Sequence, residues 1–219
     1  MRILVLGCLL VCFYSCSIRK QTGVSNWIEL FNDKDLTDWV IKIKDHPLNH
    51  NYGNTFRVEE GVLKVRYDGY ENFSRQYGHM YYKQPFSYYL LVIEYRFAGE
   101  QVKGSEGWAL RNSGAMLHCQ PPQTIAVEQD FPISLEMQLL GGNGTDLRTT
   151  GNLCTPGTNV VLNDSLFTPH CVNSTSKTYH GDKWVRAEAL VFGDSLIQHI
   201  VEGDTVISYR QPQYDGRDP

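Results

Sequence analysis

The sequence predicts an all-β fold, a meander of strands packed on a second sheet, and three observations carry that prediction. Short runs of alternating apolar and polar residues recur along the chain, separated by Gly, Asn, Asp and Pro, which is the rhythm of strands and turns. Hairpin connections are legible at Glu59-Glu60-Gly61 between FRV and VLKV, at Gly193-Asp194, and at Glu202-Gly203-Asp204, where residues tolerant of tight turns join two apolar runs. No long helical period competes with them.

Taken in order, residues 1–15 read MRILVLGCLLVCFYS: one Arg, an apolar run from Ile3 to Val11, then small and aromatic residues. That is a secretory leader, too short to span a bilayer. Ser15 directly before Cys16 resembles a bacterial lipoprotein cleavage site, with Cys16 becoming the lipidated first residue, although Phe13 and Tyr14 are unusual there. Residues 16–26 then form a polar tether and 27–219 a single domain, since sandwiches of roughly 200 residues commonly fold undivided. The expected location is outside the cytoplasm, in a bacterial cell envelope, either lipid-anchored at the outer membrane or periplasmic.

Within the domain, strands are expected at Thr55–Val58, Val62–Val65, Tyr88–Phe97, Trp108–Arg111, Ala115–His118, Ile133–Leu140, Asn159–Leu162, Trp184–Phe192, Ser195–Val201 and Thr205–Tyr209. In Trp184–Phe192 the set Val185, Ala187, Ala189, Val191 alternates with a mixed set, so one face is built for a core. From Gly141 to His180 strand signals are few, which predicts a long ordered loop over a sheet's concave face. RQPQYDGRDP after Tyr209 carries no closing strand, so the last hairpin is expected on an exposed edge and the domain to be C-terminally incomplete.

A net charge of −4 with the two signs interspersed leaves no basic stripe, which removes nucleic acid from the expected partners. Beyond the leader and Cys16 the cysteines are Cys119, Cys154 and Cys171. In an oxidising compartment Cys154 and Cys171 are predicted to form a disulfide that staples one loop. Cys119, beside Ala115, Met116 and Leu117, reads as a buried, inert thiol.

Polar groups gather in two segments, WALRNSGAMLHC from Trp108 and ISLEMQLLG from Ile133. Glu136 and Gln138 are two residues apart on a predicted strand, so a carboxylate and an amide share one face. Arg111, Asn112, Ser113 and Gly114 end a short apolar run in a predicted turn, and His118 follows on the next strand.

Five motifs in order resemble one family: WIELFNDKDLTDW from Trp27, Arg111-Asn112-Ser113-Gly114, Glu136-x-Gln138, CTPGTNV from Cys154, and STSKTYHGDKW from Ser174. They are similar to the DUF1080 domain, described as the 3-keto-disaccharide hydrolase domain. Asp33 and Asp38 stand where that family usually has glycine, and its final strands after GRDP are absent here. The resemblance implies a concanavalin A-like jelly-roll sandwich and a carbohydrate substrate, a 3-keto-disaccharide or 3-keto-glucoside. A carbonyl at C3 acidifies the C2 proton and permits elimination of the glycosidic oxygen, followed by addition of water. Such a site needs a base near C2, a donor for the enolate oxygen and an acid for the leaving oxygen.

The resemblance implies Glu136 or His118 for proton transfer, Arg111 and Asn112 as donors to the enolate or to hydroxyls, and Gln138 to orient the sugar. Trp108 and His180 are candidate sugar contacts, and Trp184 is expected to pack. The two-carboxylate glycosidase mechanism is disfavoured, because Gln138 and Leu140 stand where a second acid is wanted. No cofactor is expected. Structural calcium is left open on the loop acids Glu128, Asp130, Asp146 and Asp164, with no ligand set assigned and no EF-hand spacing. Each residue also has a plainer reading: a strand Glu is ordinarily solvated and paired to a surface Arg, and a His beside an apolar strand ordinarily donates to a backbone carbonyl. The alternative function is a non-catalytic carbohydrate-binding module on the same face.

Overall fold

The structure is a computed structural model describing residues 27–216; the leader, Cys16 and the tether lie outside the described residues. Strands numbered in chain order form two main antiparallel sheets. The larger runs β10 (Ser165–Phe167), β9 (Thr158–Leu162), β14 (Asp204–Tyr214), β13 (Leu196–Val201), β12 (Val185–Phe192), β5 (Tyr88–Tyr95). The smaller runs β11 (Cys171–Val172), β8 (Asn152–Cys154), β7 (Leu135–Leu140), β6 (Asn112–Leu117). They close face to face as a jelly-roll-type sandwich, each giving one side of its strands to a common core.

That core follows from the period-two pattern. Leu135, Met137 and Leu139 on β7, Leu153 on β8 and Leu117 on β6 pack against Ala187, Ala189 and Val191 on β12, Ile197 on β13, Val160 on β9 and Tyr209 on β14. Each large side chain fully buried there contributes about 1.5–3 kcal/mol. The small alanines of β12 let the sheets approach, and His199 fits among them as a neutral ring: Nδ1 donates to Gly151 O at 2.9 Å and Nε2 accepts from the Tyr209 hydroxyl at 2.8 Å. Burial lowers its pKa to about 4.

Two ribbons add a side wall: β1 (Trp39–Ile43) with β4 (Gly78–Tyr82), and β2 (Phe56–Glu59) with β3 (Val62–Val65), around Ile41, Ile43 and Phe56. Buried Lys42 fastens this wall to the domain, its Nζ donating to Ile43 O, His46 O and Val127 O. Lys44 and Arg75 both grip Asp130. The β1–β4 ribbon runs beside β6: Tyr77 stacks on Trp108 at 6.0 Å, and the Tyr81 hydroxyl meets Cys119 Sγ at 3.4 Å. Burial pushes that thiol up to about 11, which fits an inert cysteine.

Several expectations need correcting. Trp108–Arg111 is not a strand; Gly107–Ala109 is a 3-10 turn and β6 begins at Asn112. Asn112, Ser113 and Gly114 lie in that strand rather than in a turn, and the turn-like backbone is Arg111, at φ 45°. The Gly141–His180 segment is not one long loop, since it supplies β8 and β11 to the small sheet and β9 and β10 to the large one. The last hairpin is not at an edge: β14 continues to Tyr214 and pairs with both β13 and β9. β1 and β4 carried too little alternation to be read as strands. The hairpins hold, with Glu60-Gly61 and Glu202-Gly203 at positive φ, the geometry of two-residue turns that match strand twist.

Candidate active site

The outer face of the small sheet carries the residues that alternate with the core set. Register places them in rows, because directly opposed residues of an antiparallel pair project to the same side. One row is Met116, Glu136, Cys154, Cys171; the next is Gly114, Gln138, Asn152; Leu140 and Asn112 form a third. Glu136 thus stands between a thioether and the Cys154–Cys171 disulfide, which ties edge strand β11 to β8.

Glu136 makes no hydrogen bond or ion pair among the described residues, and burial lifts its pKa from an ordinary 4.5 to about 7. Its side chain lies across Gly114, where an added Cβ would come within 2.3 Å of Oε1. Glycine at that position makes the room. Burial is the sole cause of the shift; a second carboxylate at the roughly 5 Å of a retaining glycosidase would add its own charge to the balance.

Gln138 is held differently. Its Oε1 accepts from Asn152 Nδ2 at 3.0 Å, and its Nε2 has no partner among the described residues. Asn152 is buried and saturated: Nδ2 also donates to Thr149 O, and Oδ1 accepts from Ser174 N and Thr149 Oγ1.

The structure does not gather the other expected residues around Glu136. Asn112 lies at the far end of β6, four register positions away, or about 13 Å along the strands, and Arg111 precedes it by one residue. Arg111 donates to Gly181 O at 3.3 Å and to Asp182 Oδ1 at 3.4 Å, and Asn112 Nδ2 donates to Trp108 O. His180 joins them: its ring covers Gly142 and its Nδ1 accepts from Gly144 N at 3.1 Å. Trp108 is exposed nearby and stacked on Tyr77. His118 ends β6 at φ 47°, and its Nε2 meets Gly193 O at 3.0 Å on the β12–β13 hairpin of the other sheet. No interaction joins it to Glu136. Trp184 is exposed rather than packed, with Arg96 over its ring at 5.1 Å.

Two residues of this region were not singled out in the sequence, and a third, Gly114, was named without its role over Glu136. Asn152 sits on a strand too short to show a pattern. Arg148, whose guanidinium donates to Gly141 O and Leu110 O, ties the exit of β7 to the entry of β6 from within an irregular segment. Gly114 did leave a signal, since a glycine inside a strand pattern marks a close approach. An open groove of about 900 Å³, lined by Gln120, Phe131, Ile133, Thr155, Pro169 and His170 among others, lies beyond the Ile133 end of β7 and does not include Glu136. Among the described residues no three His, Cys, Asp or Glu side chains converge as a metal site; Asp130 is taken by Lys44 and Arg75, Asp164 by Arg210 and Asp146 by Asn143.

Fold and site define an antiparallel β-sandwich whose smaller sheet presents one desolvated carboxyl beside one oriented amide. The chain belongs to the family of 3-keto-alpha-glucoside-1,2-lyase-like domains, which matches residues 26–219. That family name ties the domain to cleavage of 3-keto-glucosides and to a carbohydrate substrate. No curated protein matches the chain, and no solved structure does.

Proposed function

We propose that the protein cleaves the glycosidic bond of 3-keto-glucosides by elimination across C1 and C2, with Glu136 as the base. The observation that carries this reading is the state of Glu136: an unpaired carboxyl on the outer face of the small sheet, seated over Gly114 and lifted to about 7 by burial alone. A base poised near neutrality combines a useful ionised fraction with real proton affinity. The C2 proton passes to Glu136, the electron pair of the C–H bond forms the enolate on the C3 oxygen, and the enolate expels the C1 oxygen, which departs as the alcohol with the proton Glu136 has taken up. Water then adds to C1 of the enone, and the proton it gives up is delivered to C2. Gln138 Nε2, two residues along the same face, supplies the donor that the enolate oxygen needs. Arg111, Asn112 and His180, a disaccharide's length away, are assigned to the remote sugar, with Trp108 as an aromatic surface beside them.

Export to a cell envelope belongs to the same proposal, supported by the leader, by Ser15-Cys16 and by a disulfide of the kind that persists in oxidising compartments.

The test is product analysis of a 3-keto-glucoside incubated with the protein in heavy water, beside its unoxidised parent. Release of 3-keto-glucose carrying deuterium at C2, abolished in Glu136→Gln, is the expected result. Binding of the parent sugar with cleavage of neither would replace the enzyme with a binding module. Full turnover in Glu136→Gln would remove that residue from the mechanism.

A further inference from the structure

The amide of Gln138 has two faces, and which one meets the substrate decides whether it stabilises or repels a developing negative charge. Rotating the terminal amide by half a turn exchanges a donor for an acceptor with almost no change in shape. Its orientation is settled one residue deeper. Asn152 Oδ1 receives Ser174 N at 2.9 Å, and a backbone N–H can only donate; Asn152 Nδ2 reaches Thr149 O at 2.9 Å, and a backbone carbonyl can only accept. Both contacts fix the Asn152 amide in the same sense, and Thr149 Oγ1 adds a third by donating to Oδ1 at 2.7 Å. The remaining Nδ2 hydrogen points at Gln138, which must answer with Oε1, at 3.0 Å.

We infer that Asn152 is a positioning residue for the reaction: it turns the Gln138 amide so that Nε2, rather than Oε1, faces the substrate's C3 oxygen. This inference rests on the proposed cleavage of 3-keto-glucosides. Asn152 is buried and touches no substrate; it acts through Gln138 alone. Because the backbone partners are Thr149, in the connection between β7 and β8, and Ser174, after β11, the orientation is set before substrate arrives, and the donor needs no reorganisation as charge develops.

The experiment uses the full chain with a 3-keto-glucoside and measures kcat and KM separately for the wild type, Asn152→Asp and Gln138→Glu. Asn152→Asp replaces the donor facing Gln138 with an acceptor, so the Gln138 amide turns over and presents Oε1 to the substrate. Gln138→Glu keeps an oxygen for Asn152 Nδ2 and removes the Nε2 donor outright, so it serves even if burying a carboxylate at Asn152 prevents folding. Removal of one donor to a developing oxyanion costs about 10²–10³ in kcat, and KM should move far less because the ground-state carbonyl uses the donor weakly. Selective ¹⁵N labelling of glutamine side chains gives a readout independent of turnover: the Gln138 amide resonances should shift in Asn152→Asp.

Undiminished kcat in Asn152→Asp, with the wild type active, overturns the inference and leaves the proposed function standing; undiminished kcat in Gln138→Glu overturns the inference and also removes Gln138 as the enolate's donor, with cleavage by Glu136 still standing. An unshifted Gln138 amide in folded Asn152→Asp overturns the inference as well. Absence of wild-type turnover on 3-keto-glucosides sinks the functional reading and the inference with it. Parallel losses in kcat, KM and thermal stability would mark Asn152 as merely structural.

Discussion

Replacing Glu136 with glutamine should stabilise the protein at alkaline pH while abolishing its turnover. The folded-state pKa stands at about 7 against an ordinary 4.5, and each pKa unit is worth about 1.4 kcal/mol, so the ionised carboxylate costs the folded state about 3 kcal/mol. The sign follows from linkage: a carboxyl with a raised folded-state pKa contributes its full stability below the unfolded value, and that contribution is lost as pH rises through about 7. Glutamine has the same shape over Gly114 and no charge to desolvate. The difference between Glu136→Gln and wild type should therefore be near zero at about pH 4.5 and approach about 3 kcal/mol by about pH 8.5.

A second buried group makes this measurement sharper. His199, lowered to about 4 from 6.5 by burial, titrates with the opposite sense: its contribution is complete above the unfolded value and is lost as pH falls toward 4. Between 4.5 and 6.5 the two groups oppose each other in the wild type, whose stability should be nearly flat there. Glu136→Gln unmasks the His199 slope, so the variant should lose stability on acidification where the wild type does not. Urea midpoints across the range provide the assay, since a shift of this size is a large part of a typical domain's stability. A stability difference that does not change with pH would show that Glu136 is not desolvated, and the argument for it as a base would fall.

Gly114→Ala should lower kcat by roughly a hundredfold with little change in thermal stability, because the new Cβ would press within 2.3 Å of Glu136 Oε1 and within 2.7 Å of its Cγ, displacing a side chain on which angstrom placement matters; unchanged kcat would show that the carboxyl does not need its seat over the glycine. Cys171→Ser, or reduction of the wild type, should cost about 3 kcal/mol for a loop of sequence separation 17, read as a fall in the urea midpoint. A fall in Cys171→Ser that reductant does not reproduce in the wild type would indicate that the serine, not the lost bond, is responsible.

Much of the large sheet was legible in the sequence, because β12 and β13 alternate cleanly and their turns carry residues suited to positive φ. Legibility failed where strands are short or fully buried. In β8, Asn-Leu-Cys offers three residues with no exposed partner to reveal a period, and all three are buried. β14 ran past its expected end since Gln211, at φ 52°, breaks the alternation where the strand shifts register and passes from β13 to β9. At the site, Glu136 and Gln138 were visible as a pair on one face. The separation of Arg111 from Glu136 was not, because register between β6 and β7 depends on a long connection whose length does not dictate it. His118 was out of reach for a similar reason: alternation aims it at the Glu136 face, and a single left-handed residue sends it to the other sheet.

The lone carboxyl is the feature that links the fold to the chemistry. An ordinary glycosidase divides acid and base or nucleophile between two carboxyls, each tuned by its surroundings and by the other. Here the neighbours of Glu136 are Met116, Gly114 and a cystine, which desolvate it and carry no charge. Such surroundings make a poor partner for an oxocarbenium ion, which wants a carboxylate held negative. They favour a base that removes a proton from a neutral carbon acid and becomes neutral in doing so, because the desolvated surroundings then work with the reaction as Glu136 loses its charge. On the proposed route the negative charge moves to the C3 oxygen, with Gln138 Nε2, whose amide Asn152 holds by its oxygen, as the donor. In that proposal the substrate's own ketone takes the part of a second carboxyl, by acidifying C2 and by holding the charge.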